Sequence, residues 1–87
     1  MKLIYCPDCS DIVRLTLRKR SCACKKSWGK YTDNLNAVIG GNAIPLGINN
    51  SSFVDALWKR PQKGLGTRFE AFVIPDTCPT VKEESNV

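Results

Sequence analysis

Histidine is missing from the chain altogether. With it go the commonest general base, the Ser-His-Asp and Cys-His nucleophile systems, and every metal site that uses imidazole. Most hydrolase mechanisms are excluded on that ground. Long apolar runs are missing too: ahead of Cys6 only Met1, Leu3, Ile4 and Tyr5 are apolar, too little for a signal peptide or a processed lipoprotein cysteine. A cytoplasmic protein with no membrane partner is expected. The chain has no internal repeat and no long low-complexity segment, and the Gly40-Gly41 pair is not followed by the helix with Gly-Lys-Ser that a phosphate loop requires. Room for a second core is also lacking, because 87 residues with 43% hydrophobic and 24% charged content suit one small domain. A domain this short buries only about 60% of its unfolded surface and usually needs a metal, disulfides or a partner to stay folded.

What the chain does have is positive charge and cysteine. Net charge is +5, from thirteen Lys and Arg against eight Asp and Glu. The excess sits in residues 1–30, where Lys2, Arg14, Arg18, Lys19, Arg20, Lys25, Lys26 and Lys30 face only Asp8 and Asp11. Such a balance favours anionic partners, although solubility alone would account for much of it.

Five cysteines are present, and four of them are paired at short spacing: Cys6-Pro7-Asp8-Cys9, then Cys22-Ala23-Cys24. In a reducing compartment such pairs are metal ligands more often than disulfides. Each pair can form a tight knuckle whose backbone N–H groups point at sulfur, and two knuckles on adjacent hairpins supply the tetrahedron of thiolates that zinc prefers. Cys6, Cys9, Cys22 and Cys24 are therefore the expected ligands of one structural Zn2+ per chain. Four thiolates and one zinc would lower the net charge to about +3. A sphere closed by four sulfurs leaves no position for water or substrate, which argues against metal catalysis. Cys78, before Pro79, is the competing ligand or else a small buried side chain. Disulfide exchange by Cys6 and Cys9 is a further alternative, but that motif normally opens a helix, and here a strand follows.

That strand is read over Ile12–Lys19, with Val13, Leu15 and Leu17 on a buried face and Arg14, Thr16 and Arg18 on the other. The alternation predicts a basic stripe of Arg14 and Arg18 beside Arg20, Lys25 and Lys26. Trp28 and Tyr31, interleaved with Lys25, Lys26 and Lys30, suit stacking on a base, or else they cap the small core. Ala37–Leu46 reads as a hairpin around Gly40-Gly41, with Pro45 placing its second strand at an edge or a bend. Phe53–Arg60 reads as a short helix capped by Ser52 and stopped by Pro61, with Lys59 and Arg60 in its last turn. Thr67–Ile74 reads as a strand buried on both faces.

The N-terminal part resembles the zinc-ribbon superfamily through Cys6-Pro-Asp-Cys9 and Cys22-Ala-Cys24. The whole chain is similar to small zinc-ribbon proteins of unassigned activity encoded by bacteria and their phages. The resemblance implies binding more than chemistry. The expected fold class is α+β: small zinc-ribbon β-hairpins continuing into an antiparallel sheet with one short helix. Residues 1–32 would form the ribbon, 33–80 the hairpin, helix and return strand packed on it as one domain, and 81–87 a frayed tail. The expected function is non-catalytic binding of an anionic ligand, nucleic acid or a phosphorylated nucleotide, through Arg14, Arg18, Arg20, Lys25, Lys26, Trp28, Lys30 and Tyr31. The alternative is a protein-binding inhibitor or adaptor, such as a phage-encoded regulator of a host defence or transcription machine. Its signature would be an exposed apolar patch around Trp58 or Phe53, with self-association as a further use of that surface.

Overall fold

The computed structural model describes residues 1–84. The chain is α+β, with two four-stranded sheets and one short helix. In chain order the elements are β1 (Lys2–Tyr5), β2 (Ile12–Arg14), β3 (Arg20–Ser21), β4 (Ser27–Tyr31), β5 (Ala37–Gly41), β6 (Ile44–Ile48), α1 (Asn50–Trp58), β7 (Ala71–Val73) and β8 (Val81–Glu84). The first sheet has the order β2-β1-β6-β7 and is antiparallel throughout. The second has the order β3-β4-β5-β8, and its last pair, β5 with β8, is parallel. The single antiparallel sheet expected from the sequence is thus two sheets, one of them mixed.

The core lies where the two sheets meet. Ile4 from β1 and Ile39 from β5 are essentially inaccessible, and Val13, Leu15, Ala37 and Ala43 close around them with Cys6 and Cys22. Gly29 on β4 lets the layers approach: a methyl group there would stand 2.8 Å from Leu15 Cδ2 and 3.2 Å from Ile39 Cγ2. Cys6 and Cys22, one from each cysteine pair, belong to this core, and Cys9 packs against it.

Several elements differ from the sequence expectation, each for a local reason. The strand after Cys9 stops at Arg14; Val13 and Leu15 are buried as expected, but Leu17 is 70% exposed. Thr16 turns the chain there, its Oγ1 accepting from Arg18 N–H at 3.2 Å while its carbonyl accepts from Tyr31 N–H at 2.7 Å in the other sheet. The Gly40-Gly41 segment does not make a hairpin, because β5 and β6 belong to different sheets. Gly41 has φ 68°, and a side chain there would strike the Lys26 carbonyl, so the glycine permits a change of sheet instead of a return. Pro45 lies on an interior strand, at the point where pairing with β7 ends. Ile74 N–H donates to its carbonyl at 2.9 Å, and the bond proline cannot return is the one the ladder no longer needs.

Helix α1 begins earlier than expected because Asn49, not Ser52, caps it: Asn49 Oδ1 accepts from Ser52 N–H at 3.0 Å. The Ser52 hydroxyl instead accepts from Glu70 N–H at 2.7 Å. Lys59 is the C-cap, so Lys59 and Arg60 lie beyond the last helical turn. The Thr67–Ile74 run supplies only β7, which lies at a sheet edge with all three residues exposed; Phe72 lies over Gly47 on the adjacent strand, and only Ile74, just past β7, is buried. Residues 81–84, expected to fray, pair with β5 from Ala37↔Val81 to Gly40↔Glu84. The remainder of that expectation, residues 85–87, lies outside the described residues.

Candidate metal centre and cation surface

The four paired cysteines sit on two turns of matching construction. The first turn joins β1 to β2: Cys6 N–H donates to Asp11 O at 2.9 Å, and Ser10 N–H donates back to Cys6 O at 2.7 Å. The second joins β3 to β4: Cys22 N–H donates to Ser27 O at 3.0 Å, and Lys25 N–H donates to Cys22 O at 3.1 Å. In each turn the residue after the second cysteine is left-handed, Ser10 at φ 62° and Lys25 at φ 67°. That bend points the two sulfurs of a pair the same way. The pairs are held facing one another by Asp11, whose Oδ2 accepts from Ala23 N–H at 2.9 Å across the gap. Asp8 accepts from Asn42 Nδ2 at 2.7 Å and ties the first turn to the β5–β6 connection. Both carboxylates near the cysteines are thus structural supports.

The outcome is a cluster in which the four sulfurs of Cys6, Cys9, Cys22 and Cys24 lie within 4.8 Å of one another. Cys24 Sγ is 3.7 Å from Cys6 Sγ and 3.5 Å from Cys22 Sγ. A tetrahedron with metal–sulfur bonds near 2.3 Å has edges of about 3.8 Å, so these separations suit a shared metal ion. All five cysteines are free thiols. Cys78 stands apart from the cluster and is half-buried beside Thr80, with Sγ to Oγ1 3.4 Å; the Thr80 hydroxyl lowers its thiol below the usual value.

Electrostatics of the cluster also ask for a cation. At Cys6 the hydroxyl of Ser27, aided by the N–H groups of Cys9 and Asp8, lowers the thiol pKa against the cost of burial. Burial opposes ionisation of Cys22, yet the Ser27 N–H and the thiols of Cys24, Cys6 and Cys9 outweigh it and bring the value to about 6. At Cys24 the Lys26 N–H favours the thiolate, but burial and the three neighbouring sulfurs prevail and push the value up to about 12. Four sulfurs this close cannot all be anionic without a positive centre between them. Ser27 belongs to the same arrangement: its hydroxyl is wholly buried, and the group it faces is the Cys6 sulfur, which as a metal-bound thiolate would accept its hydrogen bond. The donor set, the spacing and the buried hydroxyl facing Cys6 all fit a metal ion.

The cations expected to form a stripe are distributed over three places. Arg14 on β2 and Arg20 on β3 are neighbours, Arg20 Nη1 donating to Arg14 O at 3.1 Å, and Arg18 lies in the intervening loop. Lys25 and Lys26 are exposed on the second knuckle. Lys30 lies on β4, in a row with Val38 and Lys82 across the second sheet. Lys82 was missed by sequence reasoning because nothing local marks β8. The only ion pair among the described residues is Lys59–Asp55, at 3.1 Å.

Neither aromatic residue is a free stacking platform. The Trp28 ring packs on Gly40, its cross-strand partner, and Lys19 Nζ lies 4.7 Å from its centroid. Tyr31 packs against the core, its hydroxyl accepting from Lys2 N–H at 2.8 Å. Comparison with family models, curated proteins and solved structures finds no match to this chain, so the site is read from its own geometry. No helix among the described residues is long and apolar enough to cross a membrane.

Proposed function

We propose that the protein is a non-catalytic binding module in which one structural zinc, held by Cys6, Cys9, Cys22 and Cys24, clamps two hairpins in the manner of a zinc ribbon. The clamped body engages nucleic acid through its exposed cations. One observation carries the binding reading: Arg14, Arg18, Arg20, Lys25 and Lys26 are all exposed, and none has a carboxylate partner among the described residues. Unpaired cations on exposed hairpins and loops suit an extended polyanion, which repeats its charge along a backbone, better than a single nucleotide.

Because Trp28 and Tyr31 are occupied within the fold, contact is made to phosphate and not by stacking, and binding is indifferent to base sequence. Zinc supplies rigidity and no reaction step. Fluorescence anisotropy of a labelled duplex oligonucleotide, titrated at several salt concentrations, tests this. Five phosphate contacts would give a log–log slope of about −4 to −5. The variant Arg14→Glu/Arg18→Glu/Arg20→Glu should weaken binding and flatten the slope by about 3. A salt-insensitive affinity, or one untouched by the triple reversal, would sink the reading.

A second reading, protein binding, is favoured by a different observation. Val54, Leu57, Trp58, Leu65, Phe69, Phe72 and Val73 are all exposed on the segment from α1 to β7. Apolar side chains collected in this way mark a contact surface.

A further inference from the structure

Helix α1, the loop after it and β7 form an arm with little core of its own: of the nine helix residues only Ala56 is buried. Between helix and loop runs a cleft of about 320 Å³ whose lining includes Phe53, Leu57, Arg60, Lys63, Leu65 and Phe69. The cleft is built, not a gap between loose segments. Phe53 and Phe69 meet edge to face at 4.8 Å in its wall. Thr67 Oγ1 donates to Lys59 O at 3.0 Å, while Glu70 N–H reaches Ser52 Oγ and Asn49 N–H reaches Glu70 O at 2.9 Å, stapling both ends of the loop to the helix. Gly64 and Gly66, at φ 94° and 103°, hold the fully exposed Leu65 at the loop tip.

Charge selects the occupant. Arg60 and Lys63 line the cleft, no acidic side chain does, and along the chain the neighbouring acids are Asp55, already paired with Lys59, and Glu70. A second copy of this chain carries the same net charge of +5 and so brings positive charge towards a basic cleft. A cleft of about 320 Å³ takes one or two large side chains, which a bilayer surface does not present. We infer that this cleft is a docking site for an acidic peptide segment of a partner protein, one or two large apolar side chains entering between Leu57 and Phe69 and flanking Asp or Glu meeting Arg60 and Lys63. This rests on the protein-binding reading and is independent of the nucleic-acid reading, since it uses none of the same residues.

The test is panning of a random dodecapeptide display library on the full-length protein, followed by affinity measurement on the enriched peptides. Leu57→Asp and, separately, Arg60→Glu/Lys63→Glu are compared with the unmodified chain; Leu57 is more than half exposed, so the fold should survive, as checked by metal content and circular dichroism. The expected result is enrichment of peptides that combine Leu, Phe or Trp with Asp or Glu. Each variant should weaken them about tenfold or more, with oligonucleotide affinity unchanged. Enrichment of basic or uncharged peptides, or indifference to both variants, would overturn the inference. So would binding of phosphatidylglycerol vesicles that depends on Leu65 without any peptide binding, or a dimer in sedimentation that Leu57→Asp dissolves.

Discussion

Ser27 and the left-handed residues Ser10 and Lys25 show how single positions serve the cysteine cluster. A side chain in the left-handed region costs about 1–2 kcal/mol, and both turns accept that cost to bring two sulfurs to one side. Lys25→Gly should therefore raise stability by about 0.5–1 kcal/mol in chemical denaturation, after allowing for the greater freedom of glycine in the unfolded chain. At Gly41 the same conformation is combined with the Lys26 carbonyl, and Gly41→Ala should destabilise by about 2 kcal/mol or more. Cys78→Ser should leave metal content at one equivalent, while Cys22→Ser should abolish it; the reverse pattern would reassign the ligands. Acid acts on two kinds of group. Asp33 accepts from Asn36 N–H, Asn36 Nδ2 and Leu35 N–H, which lowers its pKa below the usual 3.8. Its contribution is complete above 3.8 and is lost as pH falls through the lower folded value. An NMR titration of its carboxyl should show a midpoint below 3.8, and a midpoint at or above that value would count against the loop geometry. A metal held by the four sulfurs should be released earlier in the descent, because protons compete for thiolates.

Elements that rest on local chemistry were legible in the sequence, and those that rest on distant pairing were not. Two knuckles on two hairpins follow from spacing alone, since a pair of cysteines two or three residues apart between short apolar stretches has few other uses. The helix was visible, but its start was misplaced: Ser52 has the chemistry of a cap, and only the structure shows its hydroxyl committed to Glu70. Asn49→Ala should cost about 1 kcal/mol by removing the true cap. The Gly40-Gly41 segment misled because a glycine pair suits a hairpin turn and a crossing between sheets equally well, and β8 was missed because its parallel partner lies more than forty residues away. Leu17 misled because alternation cannot register the turn at Thr16 that breaks it.

At the scale of the whole molecule, the cysteine cluster closes one end of the shared core, since Cys6 and Cys22 are packed with Ile4, Val13, Leu15 and Ile39. Removing the metal with a chelator should therefore loosen both sheets together, while Ile4→Ala should cost about 2–5 kcal/mol and weaken metal retention with it. The candidate ligands were all named from the sequence, but the distribution of the cations was not, because an exposed lysine or arginine takes its place from the turns around it. The proposed clamp depends on four sulfurs binding one zinc. X-ray absorption at the zinc edge, on full-length protein purified without added metal, tests it most directly. The expected result is one zinc per chain with four sulfur neighbours at about 2.3 Å. A chain without zinc, or a coordination shell containing nitrogen or oxygen, would contradict it.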